Sequence, residues 1–99
     1  MEIMKTYISG PISGRPFEEA KGHFNMAESN LRHQDIETVN PIDLPHEHGG
    51  TWKEYMKEDI AALMECDSIY MLKGWEDSAD ARLEFSIAIG LGYEILFEK

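Results

Sequence analysis

Tyr7-Ile8-Ser9-Gly10-Pro11-Ile12-Ser13-Gly14 and Gly74-Trp75-Glu76-Asp77-Ser78-Ala79-Asp80-Ala81-Arg82-Leu83-Glu84 are the two stretches on which the fold turns. Each reads as the end of a buried strand, a tight turn and the opening of a helix. In an open α/β sheet that carboxyl edge is where ligands bind. The first stretch offers small residues and backbone N–H groups suited to an anion. The second carries a carboxylate, Glu84, on an otherwise apolar helix.

The first strand spans Ile3 to Ser9, and Pro16 suits the first position of the helix that follows. Glu18 and Glu19 complement that helix's dipole. Phe17, Ala20, Phe24, Ala27 and Leu31 alternate spacings of three and four, which predicts an amphipathic helix reaching Arg32 or His33. Ile36 to Val39 is a short second strand closed by the turn dipeptide Asn40-Pro41. Ile42 to Gly50 reads as a loop. A second helix, Thr51 to Glu65, puts Trp52, Met56 and Leu63 on an apolar side with Tyr55 and Ile60. Asp59 interrupts that stripe with a charge. Ser68 to Leu72 is a third strand, Ser78 to Leu91 a third helix that is apolar nearly all round, and Ile95 to Phe97 a last strand.

Strands alternating with helices imply a parallel sheet with right-handed crossovers. The expected fold is therefore a three-layer, Rossmann- or flavodoxin-like α/β sandwich of about four strands. Residues 1–99 read as one domain with no repeat or linker. A chain of this size buries only about two-thirds of the surface its unfolded form exposes, which makes self-association natural. The apolar third helix points the same way, to a homodimer or higher homo-oligomer.

The net charge of −10 disfavours nucleic-acid polymers and anionic membranes, which bind through basic patches. No apolar run approaches the ~20 residues of a membrane span, and the mixed start Met1-Glu2-Ile3-Met4-Lys5 does not resemble a signal sequence. The expectation is a cytoplasmic protein acting on a small molecule. Cys66 is the single cysteine, expected as a buried, inert thiol. His46 and His48 flank Glu47, but two histidines two apart in a loop rarely converge on a metal without further ligands. They are expected as solvated loop residues, with no metal or organic cofactor. Trp52 and Trp75 offer rings on which a base could stack, although the core for Trp52 and a loop lid for Trp75 are the expected places.

In order, the chain offers a strand, Gly-Pro-Ile-Ser-Gly, a helix, Asn-Pro, a Trp-x-x-Tyr-x-x-x-Asp helix, Cys-Asp before a strand, then Gly-Trp-x-x-Ser and a helical Glu. Over almost its whole length it resembles small members of the nucleoside 2-deoxyribosyltransferase-like superfamily, which cleave or transfer N-glycosidic bonds of deoxynucleosides or nucleoside 5′-monophosphates. The resemblance makes Glu84 the nucleophile, where an anionic oxygen stabilises an oxocarbenium-like transition state before forming a glycosyl ester. It makes Tyr7 the phenol that orients that carboxylate, and Asp59 the acid that protonates the departing base. Asp67 takes a supportive part, read as a loop-capping aspartate.

Ser78 stands six residues before Glu84, where the resemblance associates serine with 5′-monophosphates and an acidic residue with free nucleosides. With Gly10, Ile12, Ser13, Gly14 and Arg15 it would cradle a phosphate at a helix N-terminus. Two features depart from the pattern. Lys99 follows Glu84 by only fifteen residues, short of the segment many relatives use to complete a neighbouring subunit's site, and Asp80 replaces a small residue beside the expected phosphate. The expected function is cleavage or transfer of the N-glycosidic bond of a (deoxy)nucleoside 5′-monophosphate or related nucleotide. The alternative is a catalytically silent nucleotide-binding module. A receiver-like signalling domain would need an acidic cluster after strand one, where this chain has Gly10-Pro11.

Overall fold

The structure, a computed structural model, describes residues 4–44 and 50–99. Four strands, β1 (Lys5–Ser9), β2 (Glu37–Val39), β3 (Ser68–Met71) and β4 (Glu94–Phe97), form one sheet. Their order is β2-β1-β3-β4 and every pairing is parallel. Three helices connect them: α1 (Phe17–Arg32), α2 (Trp52–Met64) and α3 (Ala79–Leu91). This is the α/β sandwich expected from the sequence. Two short 3₁₀ turns, Pro41–Asp43 and Trp75–Asp77, lie within stretches read as loop.

Alternation along the strands sorts the core into two halves, because successive side chains point to opposite faces. Tyr7, Ile69 and Met71 face one side, where they pack with Leu63 of α2 and Ala81 and Ala88 of α3. Ile8 and Leu72 face the other, against Phe24, Ala27 and Leu31 of α1. The sheet is therefore covered on both faces, as a parallel sheet requires. The four buried apolar positions of α1, Ala20 among them, are four of the five that its periodicity selects; Phe17, the fifth, is exposed.

Two of the three helices begin with a side-chain cap, whereas α1 has none and Pro16, expected at its first position, is the residue before it. Thr51 accepts from the Glu54 N–H, and Ser78 accepts from the Ala81 N–H, at the heads of α2 and α3. Each such cap satisfies one of the orphan donors of a first turn. Asp67 ties the start of β3 to β1: its carboxylate accepts from the Lys5 N–H, and its own N–H donates to the Lys5 carbonyl. Cys66 is buried, with its thiol donating to the Ala62 carbonyl, and burial pushes that thiol up to about 11.

The chain leaves β1 towards β2 on one side, and reaches β3 and β4 on the other. The connection order therefore reverses between β1 and β3, and the crevice at their carboxyl ends is the binding position in sheets of this kind. Here it is framed by the loop after β1 and the turn after β3. Gly10 is required at that junction, because a Cβ on it would lie 2.8 Å from Cβ and Cδ1 of Leu72. Gly74 turns the second loop at φ 91°, a left-handed conformation that glycine adopts without steric cost.

Candidate active site

Glu84 lies on the buried face of α3 and is 3% exposed. The Tyr7 phenol donates to its Oε2 at 2.6 Å, and the Ser9 hydroxyl donates to its Oε1 at 2.7 Å. Tyr7 and Ser9 are two residues apart on β1 and so share a face of the sheet. One strand thus clamps both oxygens of a carboxylate delivered by a helix some 75 residues later in the chain. Ser9 escaped the sequence reading, although strand periodicity from Tyr7 points to it.

Burial dominates the electrostatics of this group. It pushes the Glu84 carboxyl up to about 8, hydrogen bonds from Tyr7 and Ser9 oppose the shift, and the charges of Asp59 and Asp80 add to it. Burial, followed by the charges of Glu84 and Asp59, holds the Tyr7 phenol well above its ordinary range. Tyr7 therefore stays a hydrogen-bond donor across the physiological range. The three groups are a carboxyl poised to ionise near neutrality and two neutral donors aimed at the oxygens that would carry the charge.

A cleft of about 520 Å³ opens nearby: its wall residues Asp59 and Asp80 act electrostatically on Glu84, but Glu84, Tyr7 and Ser9 are themselves not among the residues lining it. Ile12 and Ser13 contribute from the loop after β1, Pro41 and Ile42 from the 3₁₀ turn, Trp52, Met56 and Asp59 from α2, and Asp80 from α3. The wall is mostly apolar with a few polar groups, the composition of a small-molecule site. Asp59, 7% exposed, comes to the cleft wall because the helical stripe that carries Met56 and Leu63 into the core carries it too. Its charge is felt at both Glu84 and Tyr7.

The residues expected around a phosphate divide. Ile12 and Ser13 line the cleft, whereas Gly10 is buried under Leu72. Gly14 is exposed at φ 86°, and the Arg15 guanidinium reaches towards Gly74. Neither is among the residues lining the cleft. Ser78 is buried and holds the first turn of α3. Trp52, expected in the core, is instead 47% exposed in the cleft wall, because its indole N–H donates to Asp80 Oδ1 rather than packing inward. Trp75 stacks on Phe85 with ring centroids 4.6 Å apart. His46 and His48 lie outside the described residues, and among the described residues no group of three His, Cys, Asp or Glu side chains is placed to hold a metal. No helix is long and apolar enough to cross a membrane among the described residues.

The sheet order, the clamped carboxylate and the cleft define a protein with the fold of the nucleoside 2-deoxyribosyltransferases. The 2-deoxyribosyltransferase of Bacillus psychrosaccharolyticus superposes with a TM-score of 0.72 at 20% identity, over 94% of this chain and 70% of that one. The 2-deoxyribosyltransferase of Leishmania mexicana superposes with a TM-score of 0.71 at 19% identity, over 95% of this chain, which spans 63% of that enzyme's length. Within this fold the chain belongs to the family described as a domain of unknown function, DUF4406, which matches residues 4–97. No curated protein matches it.

Proposed function

We propose that this protein cleaves or transfers the N-glycosidic bond of a (deoxy)nucleoside or nucleotide, with Glu84 as nucleophile. The observation that carries the reading is the buried Glu84 carboxyl held at both oxygens by Tyr7 and Ser9, with Asp59, whose charge reaches it, on the wall of the cleft. A Glu84 oxygen attacks the anomeric carbon, the bond to the base breaks, and its electron pair passes to the base nitrogen. Asp59 supplies the proton to the departing base. Water, or the nitrogen of a second base, then attacks the anomeric carbon of the glycosyl ester, gives up its proton to Asp59, and releases Glu84 as the carboxylate. Tyr7 and Ser9 fix the nucleophile and bias it towards the charged form that the oxocarbenium-like transition state needs.

The resemblance at Ser78 points to a 5′-monophosphate, whereas the capping role of that hydroxyl and the two carboxylates in the cleft wall weigh against it. A silent nucleotide-binding module is the second reading, favoured by the absence of Glu84 from the residues that line the cleft. The exposed apolar side chains Leu83, Ile89, Leu91 and Phe97 support a homo-oligomer, checked by sedimentation at micromolar concentration. The deciding experiment incubates the protein with a panel of nucleosides and monophosphates and follows free base by chromatography. Base release abolished by Glu84→Gln establishes the enzyme; binding without release establishes the module.

A further inference from the structure

Asp80 lies in the first turn of α3, where any acidic residue complements the helix dipole. Its geometry goes beyond that general role. Oδ1 accepts from the indole N–H of Trp52 on α2, and Oδ2 accepts from the hydroxyl of Ser13 in the loop after β1. One carboxylate thus joins three elements that wall the cleft, and all three residues line it. An indole left 47% exposed is fixed in place by this contact. The Ser13 proton, expected to serve a phosphate, is already donated to an internal anion.

We propose that Asp80 is the specificity-determining residue of the cleft: it holds Trp52 and Ser13 in position and stands in the place of an external anion, so that the site selects nucleosides lacking a 5′-phosphate. The assignment rests on the nucleoside-processing reading above and overrules the sequence pattern at Ser78. Three further observations support it. The cleft wall holds a second acidic side chain, Asp59. Among the described lining residues none is cationic. The Ser78 hydroxyl is engaged in capping α3. A phosphate brought against the Asp80 carboxylate would meet like charge at short range in a partly desolvated site, which costs at least about tenfold in affinity.

Asp80→Asn isolates the charge, because the amide oxygen still accepts from Trp52 and the amide NH₂ still reaches the Ser13 oxygen. Calorimetry with deoxyadenosine and deoxycytidine, each with and without a 5′-phosphate, is the test. The native protein is expected to favour the nucleoside at least about tenfold, and Asp80→Asn to erase most of that preference by tightening the monophosphate. If Asp80→Asn fails to fold, the native protein alone decides: its preference should shrink as salt rises from roughly 20 to 500 mM, because screening weakens the repulsion. Equal or tighter binding of the monophosphate by the native protein overturns the assignment, as does a preference untouched by Asp80→Asn or by salt. Monophosphate turnover at equal or better kcat/KM would sink the Asp80 assignment and leave the enzyme reading standing. Discrimination without any base release would do the reverse, and absence of binding by all four compounds would sink both.

Discussion

The Tyr7 hydroxyl and the Glu84 carboxylate meet at 2.6 Å with both residues buried, a donor on the first strand and an acceptor on the last helix. Because the phenol lowers the proton affinity of the carboxyl against the larger effect of burial, removing it should act on ionisation and on fold in different proportions. Tyr7→Phe keeps the ring in the core. Base release should fall about 10- to 100-fold and the acid limb of the pH–rate profile should move to higher pH. Ser9→Ala should shift the same limb in the same direction. An unmoved limb in both variants would remove the two hydroxyls from the ionisation of Glu84.

Asp59→Asn should move that limb the other way. The Asp59 charge raises the Glu84 proton affinity, so its loss makes the nucleophile ionise at lower pH. Turnover should nonetheless drop about 10- to 1,000-fold for substrates whose base leaves poorly without a proton. Equal rates for activated and ordinary leaving groups would show that Asp59 gives no acid assistance.

Stability should depend on pH through Glu84. Its carboxyl titrates near 8 in the folded protein against 4.5 when unperturbed, so between those values the folded state holds a proton that the unfolded state has lost. The contribution is full below the unfolded value and disappears as pH rises through about 8. Glu84→Gln cannot ionise, so its stability relative to the native protein should grow from pH 5 to 8 by at most ~1.4 kcal/mol per pH unit. Urea melts across that range provide the check, and parallel curves would contradict the buried-carboxyl assignment.

Gly10→Ala tests the close approach at the head of the site. The new methyl would stand 2.8 Å from Leu72, an overpacking that typically costs about 1–3 kcal/mol. Adding Leu72→Ala should relieve part of the overpacking, because it removes the Cγ and Cδ1 atoms that the methyl strikes while the Cβ contact remains. Full additivity of the two changes in denaturant melts would mean that the strain lies elsewhere.

Cys66 should be slow towards thiol reagents. With its thiol pushed up to about 11 and buried, the thiolate at pH 8 is about a hundredfold scarcer than for a free cysteine. Labelling should be slower by at least about that factor in the native protein, and ordinary in denaturant. Fast native labelling would indicate an open route to the base of α2.

The order of elements was legible in the chain because strand and helix periodicities are local. Phe24, Ala27 and Leu31 mark one face of α1 whatever surrounds it, and the same local pattern exposes Asp59 as a charge on a buried stripe. Thr51 and Ser78 could likewise be read as the starts of α2 and α3, since a cap bonds within its own turn. Glu84 stood out as a carboxylate among apolar neighbours. The tertiary structure decided the rest, because it depends on contacts across many residues of chain. Parallel pairing of β1 with β3 brings Ser9 and Tyr7 under α3, which turns an ordinary strand serine into the second donor to Glu84. The approach of α2 and the β1 loop to the head of α3 gives Asp80 two partners, 28 and 67 residues away in sequence, and draws Trp52 out of the core into the cleft wall. No local pattern encodes such a junction, because hydrogen bonds between distant side chains depend on the order in which the sheet stacks its strands.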